Sequence, residues 1–563
     1  MSPKTIERIE LNMDELESIL KRARTEPLSE EEHRKLQAAL DTLGFLAQEL
    51  DSKKTSLKRL RGLLFGSQTE KLENVFPEST ESQQDEGEEP AGGEAIEEDE
   101  SAPQENEPQK KKRKGHGRNG ADKYVGAEKT RIPHQSLKAG EGCPKSGCRG
   151  RVYRLPEPAV LVRVRGQAPL GARVTELERL RCNLCGEVFT AQRPEGLGSK
   201  KYDETSAAMI ALLKYGSGLP FNRLRKLEGN LGIPLPAATQ WDIVNETATE
   251  IFLAYGELIR QAAQGEVLHN DDTTAKILQW MGKRKEKALR SSSEGGSDRT
   301  GIFTSGIVST SLGRRIALFF TGRKHAGENL TAVLAERAKA LRLPIQMCDA
   351  LSRNMPSELK TIVANCLAHA RRQFVDLSEN FPQECLHVLK TLAEVYRFDA
   401  QAKKDELSPE ERLRFHRQHS RAVMVELRLW FREQLQEREV EPNSSLGQAI
   451  CYMKKHWRKL TLFYRRAGAP LDNSICERAL KKAILQRRNS LFFRSARGAQ
   501  VSDIFMSLIH TAELAGENPF EYLTELQRHS AELAESPEEW MPWNYRQTLE
   551  ALASASPPAP SEA

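Results

Sequence analysis

Two apolar runs that each end in a carboxylate constrain the fold of this chain more than any other feature. The first run ends at Asp271 in "GEVLHNDDTT", and the second ends at Asp349 in "LPIQMCDAL". A third acid, Glu477, lies in "LDNSICERALKKAILQRRN", a helical stretch that continues into a basic run. We expect two buried strands and one helix to gather these three carboxylates. Such oxygen ligands suit two Mg²⁺ ions, which can activate a water or a 3′-hydroxyl against a phosphodiester.

The segments between the acids predict the order of elements in this region. After Asp271 come two strand-like runs, "TGIFTSGIVST" and "GRRIALFFTG", then a helix and the strand that ends at Asp349. A fifth strand, "TIVANC", leads into the helix "LAHARRQFVDLSENF". The order β-β-β-α-β-α-β-α is typical of a ribonuclease-H-like core, in which the first and fourth strands are neighbours. We expect this core in residues 265–376 and 466–530, interrupted by an all-α insertion at 377–465 and followed by a C-terminal tail at 531–563.

Each acid also has a structural alternative. Asp272 could be the metal ligand instead of Asp271, because alternation along a strand turns only one of them into the site. Glu477 could be a surface acid that pairs with Lys481 one helical turn later. The joint occurrence of Asp271, Asp349 and Glu477 on suitable elements in the expected order favours catalysis.

Several cysteines and one histidine of the catalytic region have roles of their own to assign. Cys348 and Cys476 adjoin two of the acids, and we interpret both as small buried residues because thiols are poor Mg²⁺ ligands. Cys366 and His369, one helical turn apart, could form a second metal site or contact a DNA end. The favoured interpretation is that they orient their helix against the sheet, with His369 as a core histidine whose hydrogen bonds are satisfied.

Two close cysteine pairs predict a structural zinc site. The pairs, which are separated by strand-like runs, are Cys143-x4-Cys148 and Cys182-x2-Cys185. Four thiolates at such spacing suit tetrahedral Zn²⁺ coordination, so we expect a zinc ribbon in residues 116–201. The chain has nine cysteines, an odd number that argues against a disulfide framework.

The N-terminal region carries a heptad pattern. Leucines recur at strict seven-residue spacing at positions 36, 43, 50, 57 and 64. This pattern predicts a coiled coil in residues 1–78 that makes the protein a homo-oligomer, although a single amphipathic helix is the alternative. Residues 79–115 combine an acidic block with the basic run "KKKRK". We expect them to be disordered, more as a plain solvated linker than as an autoinhibitory segment that competes with DNA.

Residues 202–264 have a helical pattern with a Gly-Ile-Pro break. The region resembles a helix-turn-helix, with Thr239, Gln240 and Asp242 where base contacts would be made. A plain αα-hairpin that supports the catalytic region is an equal alternative.

The charge distribution favours a nucleic-acid partner. The net charge of +5 averages the acidic block with a clearly basic remainder. Candidate phosphate-binding residues, for which a solvated basic surface is the alternative, are Lys481, Lys482, Arg487, Arg488 and Arg494. The N-terminus has no apolar signal segment, and no run is long enough to span a bilayer. We therefore expect a soluble, cytoplasmic, nucleoid-associated protein.

At this point the motifs resemble those of the transposases of the insertion sequence 66 group, TnpC type, over nearly the whole chain. The most specific matches are "CLAHARRQF" and "LDNSICERALKKAILQRRNSLFF"; others are "LLFGSQTEKL", "GHGR", "CPKSGC…CNLC", "LHNDDTT", "NPFEYL" and "WMPWNY". The resemblance implies DDE chemistry with magnesium, Asp271 and Glu477 as catalytic acids, and two accessory proteins as usual partners. The chain departs from the family after Asp349, where "ALSRNMP" replaces a Gly-Tyr-rich continuation.

Together these observations predict a multidomain α+β protein: a coiled coil, a zinc ribbon, a helical DNA-binding region and a ribonuclease-H-like catalytic core with an all-α insertion. The expected function is a DNA transposase that cuts and joins insertion-sequence ends and inserts them into target DNA. Two alternatives differ in class. One is a zinc-ribbon, coiled-coil DNA-binding regulator with a decayed core, and the other is a ribonuclease-H-like nuclease that hydrolyses DNA without joining it.

Overall fold

The computed structural model describes most of the chain from residue 200 onward and short stretches before it. The described residues are 18–19, 21–23, 27–37, 138–142, 144, 148–152, 168–181, 188–192, 200–281, 301–311, 313–356 and 360–555. The coiled-coil heptads beyond residue 37, the acidic linker at 79–115, and the predicted zinc ligands Cys143, Cys182 and Cys185 lie outside them. The fourth predicted ligand, Cys148, is exposed. The zinc ribbon and the coiled-coil oligomer therefore stay predictions.

Residues 179–263 form a short hairpin followed by four α-helices within their described part. The antiparallel strands of the hairpin are β1 (Arg179–Arg181) and β2 (Val188–Thr190). The helices are α1 (Glu204–Ala211), α2 (Phe221–Asn230), α3 (Ala237–Glu250) and α4 (Phe252–Ala263). The predicted break between two helices is present between α2 and α3. Among the described residues, no helix has the length and apolar character that crossing a membrane requires.

The expected base-contacting role of Gln240 on α3 is wrong. Gln240 is fully buried, and its amide donates to the carbonyl oxygens of Phe221 and Leu235 at 3.2 and 3.0 Å. Another face of α3 is held by Arg497, whose guanidinium donates to the side chain of Asn245 at 2.8 Å. These contacts favour a supporting αα-hairpin over a recognition helix.

A five-stranded mixed sheet forms the centre of the fold. Its strands are β3 (Val267–Thr274), β4 (Phe303–Ser311), β5 (Arg314–Gly322), β6 (Ile345–Cys348) and β7 (Ile362–Asn365). They lie side by side in the order β5-β4-β3-β6-β7, with the first three antiparallel and β6 and β7 parallel to β3. The prediction that the strands of Asp271 and Asp349 are neighbours is confirmed. The connection between β6 and β7 differs from the expected α-helix, because its described residues contain only a 3₁₀ turn, Ser352–Asn354.

Helices cover both the sheet and its edge. They are α5 (Ala326–Ala335), α6 (Leu367–Leu377), α11 (Ser474–Ser490) and α12 (Ala496–Leu514). The segment predicted as an all-α insertion forms α7 (Pro382–Lys404), α8 (Pro409–Gln418), α9 (Ser420–Gln436) and α10 (Ser445–Leu460). Residues of α7, α9 and α10 share an apolar cluster with α6. The segment expected as a C-terminal tail is folded over residues 531–555. After α13 (Pro519–Arg528), this segment forms α14 (Ser530–Glu535) and α15 (Tyr545–Ala555). Its side chains Trp540 and Tyr545 are buried in the main core.

The free edge of β5 is satisfied by side chains of α12. Asp503, Ser507 and Thr511, spaced four apart, accept hydrogen bonds from backbone N–H groups of β5 spaced two apart. The match follows from geometry, because four helical residues advance about 6.0 Å and two strand residues about 6.7 Å. An open sheet edge would otherwise invite pairing with another chain. These three polar side chains of α12 therefore protect the edge of the sheet.

Replacing Asp503 by asparagine is expected to remove a pH dependence from folding. Burial raises the pKa of Asp503 to about 7, above the roughly 3.9 of an unfolded chain. The folded state therefore holds this proton more tightly, so its stabilising contribution is complete below about pH 4 and is lost as the pH rises towards 7. An asparagine still accepts from the Thr321 N–H but cannot ionise.

Urea unfolding of the wild type and of Asp503→Asn between pH 4 and 8 measures this effect. As the pH rises from 4 to 8, the unfolding free energy of the wild type should fall relative to that of Asp503→Asn by up to about 1.4 kcal/mol per pH unit. Ser507→Ala, which removes a neighbouring edge contact without a titrating group, should shift the wild-type curve by a constant amount. Parallel curves for the wild type and Asp503→Asn would contradict the assignment.

Candidate active site

Asp271 and Asp349 are brought together by a buried asparagine. The Asn354 side-chain amide donates to Oδ1 of Asp349 at 2.5 Å and lies 3.4 Å from Oδ1 of Asp271. Because both distances share one nitrogen, the two carboxylate oxygens lie no farther apart than their sum, about 5.9 Å. Asn354 is fully buried, and its carbonyl accepts from Asn270 and Gln346 at 2.8 and 2.7 Å. The turn that replaces the expected helix thus holds the two acids together.

Strand alternation separates Asp271 from Asp272. The Asp272 side chain is 1% exposed, and its carboxylate lies 2.9 Å from Nδ1 of His325 and 3.4 Å from the guanidinium of Arg353. Its backbone N–H donates to Oδ1 of Asp271 at 2.8 Å. The carboxylate of Asp272 is therefore occupied by partners of its own, and Asp271 is the acid that faces Asp349.

The surroundings of Asp271 favour a cation. Burial, and to a smaller extent the neighbouring Asp349 carboxylate, raise the pKa of Asp271 to about 6. The hydrogen bond from the Asp272 N–H and the imidazole of His369 act against this shift. Two acids held this close in a partly buried site repel each other unless a proton or a cation lies between them.

Asn473 fixes the start of α11, the helix that carries Glu477. Its side chain is fully buried and lies 3.1 Å from Nδ1 of His269, and it donates to the carbonyl of Asn270 at 3.2 Å. Its backbone N–H donates to the Cys366 thiol at 3.3 Å. One residue therefore ties the helix to strand β3 and to the segment that follows β7.

Cys476 and Cys348 are fully buried, as predicted. The Cys476 thiol lies 3.3 Å from the carbonyl of Gly306, and a Cβ at Gly306 would come within 3.5 Å of that sulfur and 3.0 Å of Leu480. The absence of a side chain at Gly306 therefore allows α11 to approach the sheet closely. Burial raises the pKa of Cys348 to about 12, so this thiol stays protonated beside the acids.

Glu477 faces His369 on α6. The Oε1 atom of Glu477 lies 3.4 Å from Nδ1 of His369, so its partner is not Lys481. The expectation that His369 is a satisfied core histidine is wrong: its side chain is 30% exposed, and Nδ1 makes no hydrogen bond within the described part of the chain. Ligand atoms of Cys366, His369 and Glu477 all lie within 4.8 Å of one another, a spacing compatible with a metal ion.

The predicted phosphate-binding residues fall into two groups. Lys482 is paired with Glu513 at 2.6 Å, and Arg487 donates to the carbonyl of Thr274 at 2.6 Å at the end of β3. These two cations have structural partners. The other three, which are exposed, are Lys481, Arg488 and Arg494.

Sequence reasoning missed Asn354 and Asn473, which hold the acids in place. Asn473 could have been suspected, because it immediately precedes the helix of Glu477 and asparagine is a common N-cap residue. Asn354 gave no local signal, since its role depends on a turn that was expected to be a helix.

Comparison with known proteins identifies a family for this chain. The description "Transposase IS66 family" belongs to the family whose sequence pattern matches residues 200–501, more than half of the chain. The chain belongs to this family of transposases. The matched segment contains β3 to β7, the insertion and α11, and therefore Asp271, Asp349 and Glu477.

Relatives of this transposase occur in Sinorhizobium fredii. "Uncharacterized protein y4jD" is 24% identical over 532 residues, which cover 91% of this chain and 98% of the relative. "Uncharacterized protein y4hP" is 25% identical over 361 residues, 60% of this chain and 61% of that relative. Their names give no activity.

Proposed function

We propose that this transposase cuts and joins DNA ends in a ribonuclease-H-like core whose Asp271, Asp349 and Glu477 hold two divalent metal ions. The observation that carries the proposal is the pair Asp271 and Asp349, bridged by Asn354 on adjacent parallel strands. An acid with only a structural role would need neither a second carboxylate beside it nor an asparagine that bridges the two. The strand order and the position of α11 against β3 and β4 support the same core.

The donor set fits magnesium. Carboxylate oxygens are preferred by Mg²⁺, and two carboxylates held as close as those of Asp271 and Asp349 would be stabilised by a cation. When bound, two such ions supply activation of a water or 3′-hydroxyl and stabilisation of the leaving oxygen. The thiol of Cys366, in contrast, suits a softer metal than magnesium.

The chain's own residues would orient the acids and the DNA. Asn354 keeps Asp271 and Asp349 at a fixed separation, and Asn473 holds α11 against β3 so that Glu477 reaches the same region. The phosphates of the transposon end would be held by the exposed cations, which are Lys481, Arg488 and Arg494. Zinc binding by the N-terminal cysteines and assembly through the coiled coil complete the proposal.

A strand-transfer assay tests the function. The DNA ends can be taken from the sequence flanking the gene, labelled, and incubated with the full chain, Mg²⁺ and a plasmid target. Joined product supports a transposase, whereas cleavage without joining would support the nuclease. Binding without cleavage under any divalent metal would support the regulator with a decayed core.

Replacing His369 by alanine is expected to lower the strand-transfer rate about 10- to 100-fold, as removal of a residue that orients a metal ligand typically does. The reason is that His369 contacts Glu477 at 3.4 Å, and without this contact the Glu477 side chain is less restricted in its orientation. The measurement is the rate as a function of Mg²⁺ concentration, in which the variant should need more metal for half-maximal rate.

His387→Ala is a matched control, because His387 is exposed on α7 of the insertion and packs against Trp430 with ring centres 4.6 Å apart. It should leave the Mg²⁺ dependence unchanged. An unchanged Mg²⁺ dependence in His369→Ala would show that this histidine does not orient Glu477.

A further inference from the structure

The turn that ends α11 projects two large apolar side chains into solvent. Leu491 is 63% exposed and Phe492 is 45% exposed, directly after the helix that carries Glu477. The next residue, Phe493, behaves differently: it packs against the buried cluster of Ile277 and Ile302. In this turn Phe493 is therefore packed against the protein, whereas Leu491 and Phe492 are not part of the described core.

The backbone at Leu491 is one that leucine rarely adopts. Its φ is +65° and its ψ is −41°, and the N–H of Phe492 donates to the carbonyl of Ser490 at 2.8 Å. This is a three-residue turn of the strained kind, in which a glycine would be free of steric cost. A strained residue that also exposes a large apolar side chain is more typical of a functional contact than of packing.

The turn is held rigidly relative to the acids. Lys214 donates to the Ser490 hydroxyl at 2.7 Å, and Arg487 donates to the Thr274 carbonyl at 2.6 Å. The N–H of Phe493 donates to the carbonyl of Lys276 at 2.8 Å, just beyond strand β3 of Asp271. Leu491 and Phe492 are therefore held in a fixed position relative to α11 and strand β3.

The charges around the turn match nucleic acid. Residues 485–497 contain four arginines and no acid, and two of these arginines, Arg488 and Arg494, are exposed on either side of the apolar pair. A partner protein would have to cover cations together with only two apolar side chains. A DNA strand offers phosphates for the cations and base faces for the apolar side chains.

We propose that Leu491 and Phe492 form a wedge that unstacks a nucleobase of the transposon end, with Arg488 and Arg494 on the flanking phosphates. The proposal rests on the proposed DNA-joining function. Leu491 follows Glu477 by 14 residues, about 21 Å along a helix, which corresponds to about six base pairs of duplex. The unstacked base therefore lies within about six base pairs of the cleaved phosphate.

A fluorescence scan of the DNA end tests the wedge. The adenine analogue 2-aminopurine, whose emission rises when it leaves the base stack, is placed at each of the terminal positions in turn and titrated with the full chain. We expect a several-fold increase at one or two positions within this distance. Leu491→Ala combined with Phe492→Ala should remove the increase and slow strand transfer while the DNA is still bound.

Two comparisons make the result specific. Leu429→Ala is the matched control, since Leu429 is 54% exposed on α9 of the insertion, and it should keep the full fluorescence increase. An abasic site at the responsive position should restore strand transfer to the double variant, because no base then has to be unstacked at that position.

Several outcomes would overturn the wedge. Wild-type protein that joins DNA without any 2-aminopurine response would reject it and leave the proposed function intact. A double variant that keeps the response, or one whose oligomeric state changes in sedimentation instead, would assign the apolar pair to another contact. Failure of the wild type to bind its flanking ends would reject the proposed function as well.

Discussion

Replacing Asp271 by asparagine is expected to reduce strand transfer about a thousandfold or more while leaving DNA binding intact. The substitution keeps the size of the side chain and removes a charge that would hold a metal ion, and loss of several kcal/mol of transition-state stabilisation has this effect on the rate. Asp349→Asn and Glu477→Gln should behave alike. The measurement is the joined product per hour beside an electrophoretic binding titration with the same labelled end.

The adjacent acid provides the control. Asp272→Asn makes the identical change one residue away, where the carboxylate pairs with His325 at 2.9 Å on the opposite face of β3. This variant should lose about 1–3 kcal/mol of folding stability, because a buried charged partner is removed, but it should still join DNA. If Asp272→Asn abolished joining in a folded protein while Asp271→Asn retained it, the roles of the two acids would have to be exchanged.

Replacing Gly327 by alanine is expected to disturb the site from a distance. Gly327 lies in α5 against the turn of Asn354, and a Cβ there would fall 2.2 Å from the carbonyl oxygen of Met355 and 2.7 Å from that of Arg353. Backbone atoms cannot yield as a flexible side chain can, so the turn has to move. The Asn354 side chain would then lose its contacts with the carboxylates of Asp271 and Asp349.

We expect Gly327→Ala to cost about 1–3 kcal/mol of stability and to lower strand transfer about a hundredfold, as misplacement of about 1 Å at an active site commonly does. Unfolding by urea and the strand-transfer rate of the folded fraction measure the two effects separately.

Gly256→Ala is the matched control for Gly327→Ala. It is also a helical glycine, in α4, and a Cβ there would meet nothing within 4 Å. It should gain up to about 1 kcal/mol from improved helix propensity and should leave the rate unchanged. Equal rates for Gly327→Ala and Gly256→Ala would mean that the turn of Asn354 does not control the site.

The local sequence determined much of the fold of the catalytic region. Apolar runs that end in Asp271 and Asp349 predicted two buried strands, and the intervening periodicities predicted the other strands and the all-α insertion. These features are encoded by the repeat of apolar residues along one element, which needs no knowledge of neighbouring elements. The choice between Asp271 and Asp272 stayed open for the same reason, since alternation gives two faces without saying which face carries the site.

Tertiary structure alone decided which side chains serve the acids. Gln240 was expected to contact bases, but its amide donates to backbone carbonyl oxygens, and Arg487 donates to a backbone carbonyl at the end of β3. Asn354, which joins Asp271 to Asp349, lies in a turn without a periodic signal, and His369 meets Glu477 across 108 positions of sequence. A hydrogen bond or ion pair between such distant residues depends on the packing of whole elements. The sequence by itself therefore determined which elements form and which acids they carry, and the packing of those elements decided how the acids are held.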